Sequence, residues 1–415
     1  MRSDSHRLGQ ALRSLRSRDF RAFFGAQTIS QIGTYMLSVA EAWLVLSLTD
    51  SPLLLGLINM LHWGPILLLA VPSGAIADRV AKRRLLVATQ AAQACTALTV
   101  ATLVATGVVA YWHVGILALC SGLANTLFNV VKNSFVSETV GRDDVVNAVA
   151  LGSAAFHGAR IVGPAAGGLV IASVGVAAAF AVSGACHLLV IATLAKLGVE
   201  GRPRRQRPTT IRQDIAEGLA YALRTPEIRA LLGVLFVISF CAFNFTMWVP
   251  LLATNVLGQG AQELGFLMAA VGVGAVSGAL TLGTVVPRHP PLVLLHVGAA
   301  AACAVLLALS VIASFSLTAV ALFLLGFASV ITAAGCNTAL QLGSSDELRG
   351  RVMGLYTLIH GGSFPIAAPL IGAVAERWSV STAFFVWGAG GLATLVVLTG
   401  ARRRRVLGYQ PDVSR

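Results

Sequence analysis

Gly74-Ala75-Ile76-Ala77-Asp78-Arg79-Val80-Ala81-Lys82-Arg83-Arg84 decides the fold of this chain: small residues, one acid, then a burst of four cations. The stretch lies between two apolar runs, 52–77 and 84–107. Each is long enough to cross a bilayer, whose hydrocarbon of about 30 Å requires roughly 20 apolar residues per helix. The cations cannot enter hydrocarbon, so the stretch is a loop in water between two spans. Its excess of Lys and Arg assigns that water to the cytoplasm.

Working outward, the same reading repeats along the chain. Its 415 residues are 56% hydrophobic and only 11% charged, with a mean hydropathy of +0.80. Too few polar side chains remain to cover a soluble globule, so lipid must be the solvent. Twelve spans are expected, near 22–48, 52–77, 84–107, 112–137, 146–172, 175–197, 227–254, 262–286, 291–313, 317–342, 350–374 and 379–401. They are continuous and helical in length, unlike the alternating ten-residue segments of an outer-membrane barrel. The expected class is an all-α membrane protein.

A net charge of +13 would suggest nucleic acid in a soluble protein, but the positions of the charges decide otherwise. Arginines cluster before the first span (Arg2 to Arg21), after the second, after the sixth (Arg202 to Arg212) and after the last (Arg402 to Arg405). These all fall on one side if the spans alternate, whereas the opposite loops hold only Arg377. Both termini are therefore expected in the cytoplasm of a bacterial-type plasma membrane, with anionic lipid as a contact and no role in binding nucleic acid. The first twenty residues lack an apolar core and cleavage site, so they do not read as a signal peptide. Six cysteines scattered singly through the spans suggest neither a metal site nor a disulfide framework.

The chain divides into a basic segment 1–21, a six-span bundle 22–197, a linker 198–226, a second bundle 227–401 and a basic tail 402–415. Ile211, Ile215, Leu219 and Ala222 give the linker an amphipathic helical spacing suited to the inner surface. A constant shift of 204 residues superposes Asn133 on Asn337, Asp143 on Glu347, Leu151 on Leu355, Gly158 on Gly362 and Gly168 on Gly372. Such a parallel duplication places a binding cavity between the halves.

Over nearly its whole length the chain resembles the major facilitator superfamily. Gly74–Arg84 resembles the superfamily's loop 2–3 signature, with Ala81 where Gly is usual, and Gly163-Pro164-Ala165-Ala166-Gly167-Gly168 resembles the span-five signature of its antiporting exporters. Gly33-Thr34-Tyr35-Met36, Trp43-Leu44-Val45, Asn147-Ala148 with Ala159-Arg160, and Arg349-Gly350-Arg351-Val352-Met353 are similar to the enterobactin exporter-like and macrolide-efflux-like bacterial branch. The resemblance implies twelve helices in two pseudo-symmetric bundles. It also implies that the helix start at Arg349 and Arg351 partners Asp78, a latch that holds the outward-facing state. Gly74, Arg79 and Arg83 belong to the same gate, and Glu138 is a candidate partner for Arg79.

Of seventeen acids, only Glu41 falls well inside an expected span. An ionised carboxylate is costly in hydrocarbon, so reversible proton binding there would suit a proton-coupled carrier. Gln27, Gln31, Thr34, Ser38 and Glu41 recur at helical intervals as one polar stripe, which should face a cavity rather than lipid. Equally, Glu41 could hold a buried hydrogen-bond network without titrating.

Arg160 is the second coupling candidate, able to meet Glu41 in one state or to hold an anionic cargo group. Asn125, Asn129 and Lys132 stripe span four, and His157 precedes Arg160 by one turn; Lys132 could instead snorkel to the cytoplasmic surface. Asn337 with Gln341, and Tyr356 with His360, are the second half's candidates for cargo contact. Asn59 with His62, and Asn244 with Trp248, read first as packing groups. Gly163, Pro164, Gly167 and Gly168 permit close helix contact and a bend, as gating requires.

The expected function is proton-driven export of a small amphiphilic molecule, a drug-like compound or siderophore, by a chain acting as a monomer. The proton is the coupling ion, with no cofactor. A lipid or lysophospholipid flippase, an uptake symporter, or a non-transporting sensor on the same scaffold remain the alternatives. No GKS or GKT loop, HExxH or serine elbow is present, so no enzymatic step is expected.

Overall fold

A computed structural model of the protein describes residues 13–69, 80–140, 144–197, 211–285, 291–345 and 347–408. Among them, twelve helices are long and apolar enough to cross a membrane. Spans one to six are Arg18–Thr49, Pro52–Leu69, Lys82–Ala105, Tyr111–Lys132, Asn147–Val174 and Val176–Lys196. Spans seven to twelve are Pro226–Val256, Ala261–Leu282, Leu292–Leu309, Phe315–Gly343, Arg349–Arg377 and Val380–Thr399. Gly74, Asp78 and Arg79 lie outside the described residues.

Local chemistry fixes the turns. Ser17 caps span one by accepting the Phe20 amide, and Asp50 ends it in the left-handed region at φ 49°. Ser51 then accepts the Leu54 amide at 3.2 Å, with Pro52 in the first turn where its missing donor is harmless. Gly175 joins spans five and six directly at φ 102°, a conformation that strains any other residue.

Three spans are broken rather than continuous. Span two is interrupted at Gly64, ahead of Pro65, and span eleven at Ser363, ahead of Pro365. Span seven contains two π-helical turns, Ile238–Ala242 and Leu252–Val256. Its freed carbonyls find donors: Asn244 Nδ2 reaches Phe240 O at 2.9 Å, and Trp248 Nε1 reaches Cys241 O at 2.9 Å. Hydrocarbon supplies no donor, so these side chains are what permits the break. Span twelve continues as helix to Gly408, beyond the expected limit at 401.

Span three packs on six, two on four, and one on five and six; in the other half nine packs on twelve and eight on ten. The repetition defines two pseudo-symmetric six-helix bundles. Large apolar side chains such as Val311, Val396 and Val397 point outward, as a lipid-facing surface requires. A linker helix, Ile211–Arg224, packs on the first half of span eleven, where Glu217 Oε2 meets Arg351 Nη1 at 2.6 Å.

The halves meet along two seams, span two against eleven and span five against eight. A Cβ on Gly56 would stand 2.5 Å from Ala368 O, and one on Gly265 would stand 2.5 Å from Pro164 O. Likewise Gly372 abuts Pro52 O and Gly168 abuts Ala261 O. The two seams are thus symmetry mates: Pro164 and Gly168 shifted by 204 residues become Ala368 and Gly372. Glu376 ties one seam further, accepting the Leu53 amide at 3.0 Å and the Ser51 hydroxyl.

These contacts all lie toward the end carrying Ser51, Gly175 and Gly260. Toward the other end, a Cβ on Gly152, Gly158, Gly350 or Gly354 would meet nothing within 4 Å. Among the described residues, the contacts between the halves concentrate at the first of these ends, and the bundle is splayed at the other.

Candidate functional site

Between the halves lies a cavity of about 750 Å³. Its walls include Gln27, Gln31, Thr34, Ser38 and Glu41 of span one, so the polar stripe faces inward. Asn125, Asn129, Lys132, His157, Arg160, Asn337, Tyr356 and His360 also line it. Gln341 does not; its Nε2 donates to Asn337 Oδ1 at 2.5 Å from an exposed position.

Not every polar wall residue is free for a ligand. Thr34 and Ser38 donate to their own helix at Ser30 O (3.0 Å) and Tyr35 O (2.8 Å), and Asn129 Nδ2 bonds Asn125 Oδ1 at 3.0 Å. By contrast, Gln27 Oε1, Gln31 Oε1 and His157 Nδ1 are buried without a hydrogen-bond partner. Unsatisfied buried acceptors on a cavity wall are costly unless water or cargo serves them.

Glu41 does not meet Arg160 in this state. Its Oε2 stands 3.6 Å from His62 Nδ1, and both side chains are 16% exposed. Arg160 instead sets its guanidinium 5.8 Å from the centre of the Phe245 ring, and Lys132 its ammonium 5.8 Å from that of Phe128. His360 Nδ1 shares a hydrogen bond with Ser239 Oγ at 2.8 Å, while Tyr356 reaches Ala333 O at 3.4 Å.

The residues expected to form a gate at the splayed end, and their neighbour Lys82, have their own partners. Lys82, buried, donates to Glu138, the acid that sequence reasoning offered to Arg79. Arg83 closes the end of span six by donating to Ala195 O at 2.7 Å and Leu197 O at 3.1 Å. Arg351 pairs with Glu217, and Arg349 Nε donates to Gln341 O at 3.0 Å. Gly163 and Gly167 face Tyr35 and Met36 of span one, whereas Gly168 faces span eight. The helix runs unbroken through Pro164.

Sequence reasoning ranked some wall groups, Asn59 and His62, as packing first and passed over others. His62 shares the cavity with Glu41, and Asn59 Oδ1 accepts Thr246 Oγ1 at 2.7 Å across the halves. Behind span one, His187 Nδ1 lies 2.7 Å from Gln90 Oε1 and 3.1 Å from Ser30 Oγ. The sequence signal was present as polar residues in apolar spans, but only packing shows that they converge.

Twelve spans in two related halves around one central cavity define a major facilitator transporter. The family model described as transmembrane secretion effector matches residues 10–407, and the chain belongs to that family. It is 26% identical over 392 residues to the enterobactin exporter EntS of Shigella boydii serotype 4 (strain Sb227), covering 93% of each chain. It is 25% identical to EntS of Escherichia coli O1:K1 / APEC with the same coverage.

Among solved structures it is similar to the nucleoside transporter NupG, with a TM-score of 0.74 and 11% identity over 92% of this chain and 98% of that one. It is also similar to a bacterial homologue of the human lysosomal transporter Spinster, inward-facing and occupied. There the TM-score is 0.70 and identity 15%, over 94% of this chain and 96% of the other. At these identities the structures speak for the fold.

Proposed function

We propose that the protein is a secondary active exporter of small amphiphilic molecules in a bacterial inner membrane, driven by proton antiport through alternating access. The cavity that is sealed at one end and splayed at the other carries this reading, because one central site reached from one side at a time is what alternating access requires. The enterobactin exporters among its relatives support export, and a siderophore is the first cargo to test. The basic loops support a cytoplasmic position for the splayed end and both termini. The conformation is then inward-facing, loaded from the cytoplasm.

Glu41 is the coupling acid, and Arg160 responds to its charge or to that of the cargo. Asp78 with Arg349 and Arg351 forms the cytoplasmic latch once the splayed end closes. The experiment is efflux from proteoliposomes loaded with members of a compound panel headed by enterobactin, with and without an acidified exterior. Acid outside should accelerate efflux of at least one compound. Rates equal to those of protein-free liposomes for the whole panel would overturn the reading.

A further inference from the structure

The cavity wall carries two cations against one acid, and the acid stands apart from both. Glu41 faces His62, while no carboxylate among the described residues stands within ion-pair distance of Arg160 or Lys132. A cation held in an apolar bundle without a counter-charge is costly, and the missing partner is supplied most directly by a ligand. Arg160 is the deeper of the two and faces the shared space between the halves.

Aromatic rings continue from that guanidinium into the second half. Arg160 lies over Phe245, whose ring centre is 5.1 Å from that of Phe243. Phe243 is 4.7 Å from His360, His360 is 5.5 Å from Phe364, and Phe364 is 5.8 Å from Trp63. Spans two, seven and eleven thus build one ring-lined wall that begins at a cation without a carboxylate.

We infer that this arrangement is the cargo site, and that its cargo is an anion bearing a planar aromatic group. The inference rests on the reading of the cavity as the transport site and narrows it to one chemical class. An anionic head meets Arg160 in charge-assisted hydrogen bonds, with Lys132 adding longer-range attraction. The ring stacks edge or face on the Phe243–His360–Phe364 wall. Lipophilic cations, which a cavity led by a bare carboxylate would collect, are disfavoured here because the wall sets two cations against its one acid.

Equilibrium dialysis against the full chain in nanodiscs, with empty nanodiscs as control and no pH gradient, tests the class directly. The probes are 2-naphthalenesulfonate, the neutral 2-naphthalenesulfonamide, trimethyl-2-naphthylammonium, and cyclohexanesulfonate as an anion without an aromatic ring. The naphthalenesulfonate should bind about tenfold or more tightly than each of the others, a difference of about 1.4 kcal/mol. Arg160→Gln should erase the preference for the anion over the neutral sulfonamide, and Arg160→Lys should retain part of it.

Equal binding of the ammonium or of cyclohexanesulfonate, binding of none of the probes, or an anion preference unchanged in Arg160→Gln would overturn the inference. The probe series on the unsubstituted chain decides even if a variant fails to fold. Binding without a gradient is independent of coupling, so failure of proton-driven efflux would count against the exporter reading alone.

Discussion

His62 Nδ1 stands 3.6 Å from Glu41 Oε2, which puts an imidazole from span two beside the one acid of the cavity wall. His62 also leans on Trp63 (5.4 Å), and Trp63 meets Phe364 of the opposite half. The charge on Glu41 is thereby one step from the seam between spans two and eleven. Replacing His62 by Gln should lower gradient-driven efflux several-fold while leaving gradient-free exchange of cargo nearly unchanged. Parallel measurement of the two rates checks this, since general misfolding lowers both.

The seam glycines set how closely the halves approach at the sealed end. Gly168→Ala places a methyl against Ala261 O, a contact that backbone cannot yield without shifting. Overpacking of this kind costs about 1–3 kcal/mol, enough to shift a two-state equilibrium about fivefold or more. Spin labels on Val174, which is exposed, and Gln259 replaced by Cys should report longer distances in Gly168→Ala, a shift toward the outward-open form.

Glu376 acts on the symmetry-related seam by a different chemistry. Its carboxylate receives the Leu53 amide and the Ser51 hydroxyl at the start of span two, where a helix N-terminus favours negative charge. Glu376→Gln removes the charge and keeps the shape. At this exposed site the loss is roughly 1 kcal/mol, about fivefold in population, toward opening of the sealed end. Fluorescence transfer between dyes on Leu48 and Trp378, both exposed, replaced by Cys should fall accordingly.

Much of this arrangement was legible in the sequence. Glu41 stood out as the lone acid inside a span, and the 204-residue shift carried Gly168 onto Gly372, which the structure places in equivalent seam contacts. Both signals are local or periodic. The partner of Glu41 was not legible, because His62 with Asn59 read first as a packing pair and meets the acid only through the packing of two helices. The break of span eleven had a signal in Pro365, two residues after Ser363, that length and hydropathy alone overrode. Arg83 read as part of a gate because it sits in a cationic loop, yet its hydrogen bonds go to the end of span six.

Lys82 shows how the splayed end keeps a buried cation. Its side chain is 6% exposed, and its partner Glu138 is 32% exposed. Glu138→Gln leaves the ammonium uncompensated, at a cost of about 2–3 kcal/mol, less than for a fully buried pair because water reaches the acid's side. The thermal unfolding midpoint should drop by several degrees, and adding Lys82→Met should recover most of it. A midpoint that the second substitution lowers further would show that the pair is not where the stability resides.

Efflux from proteoliposomes with an acidified exterior decides whether protons are exchanged for cargo through Glu41. The cargo is the compound of a panel headed by enterobactin that the unsubstituted chain moves fastest. Glu41→Gln keeps the side chain's size and removes its titration, so acid outside should no longer accelerate efflux while cargo binding persists. Acceleration equal to that of the unsubstituted chain would contradict the account.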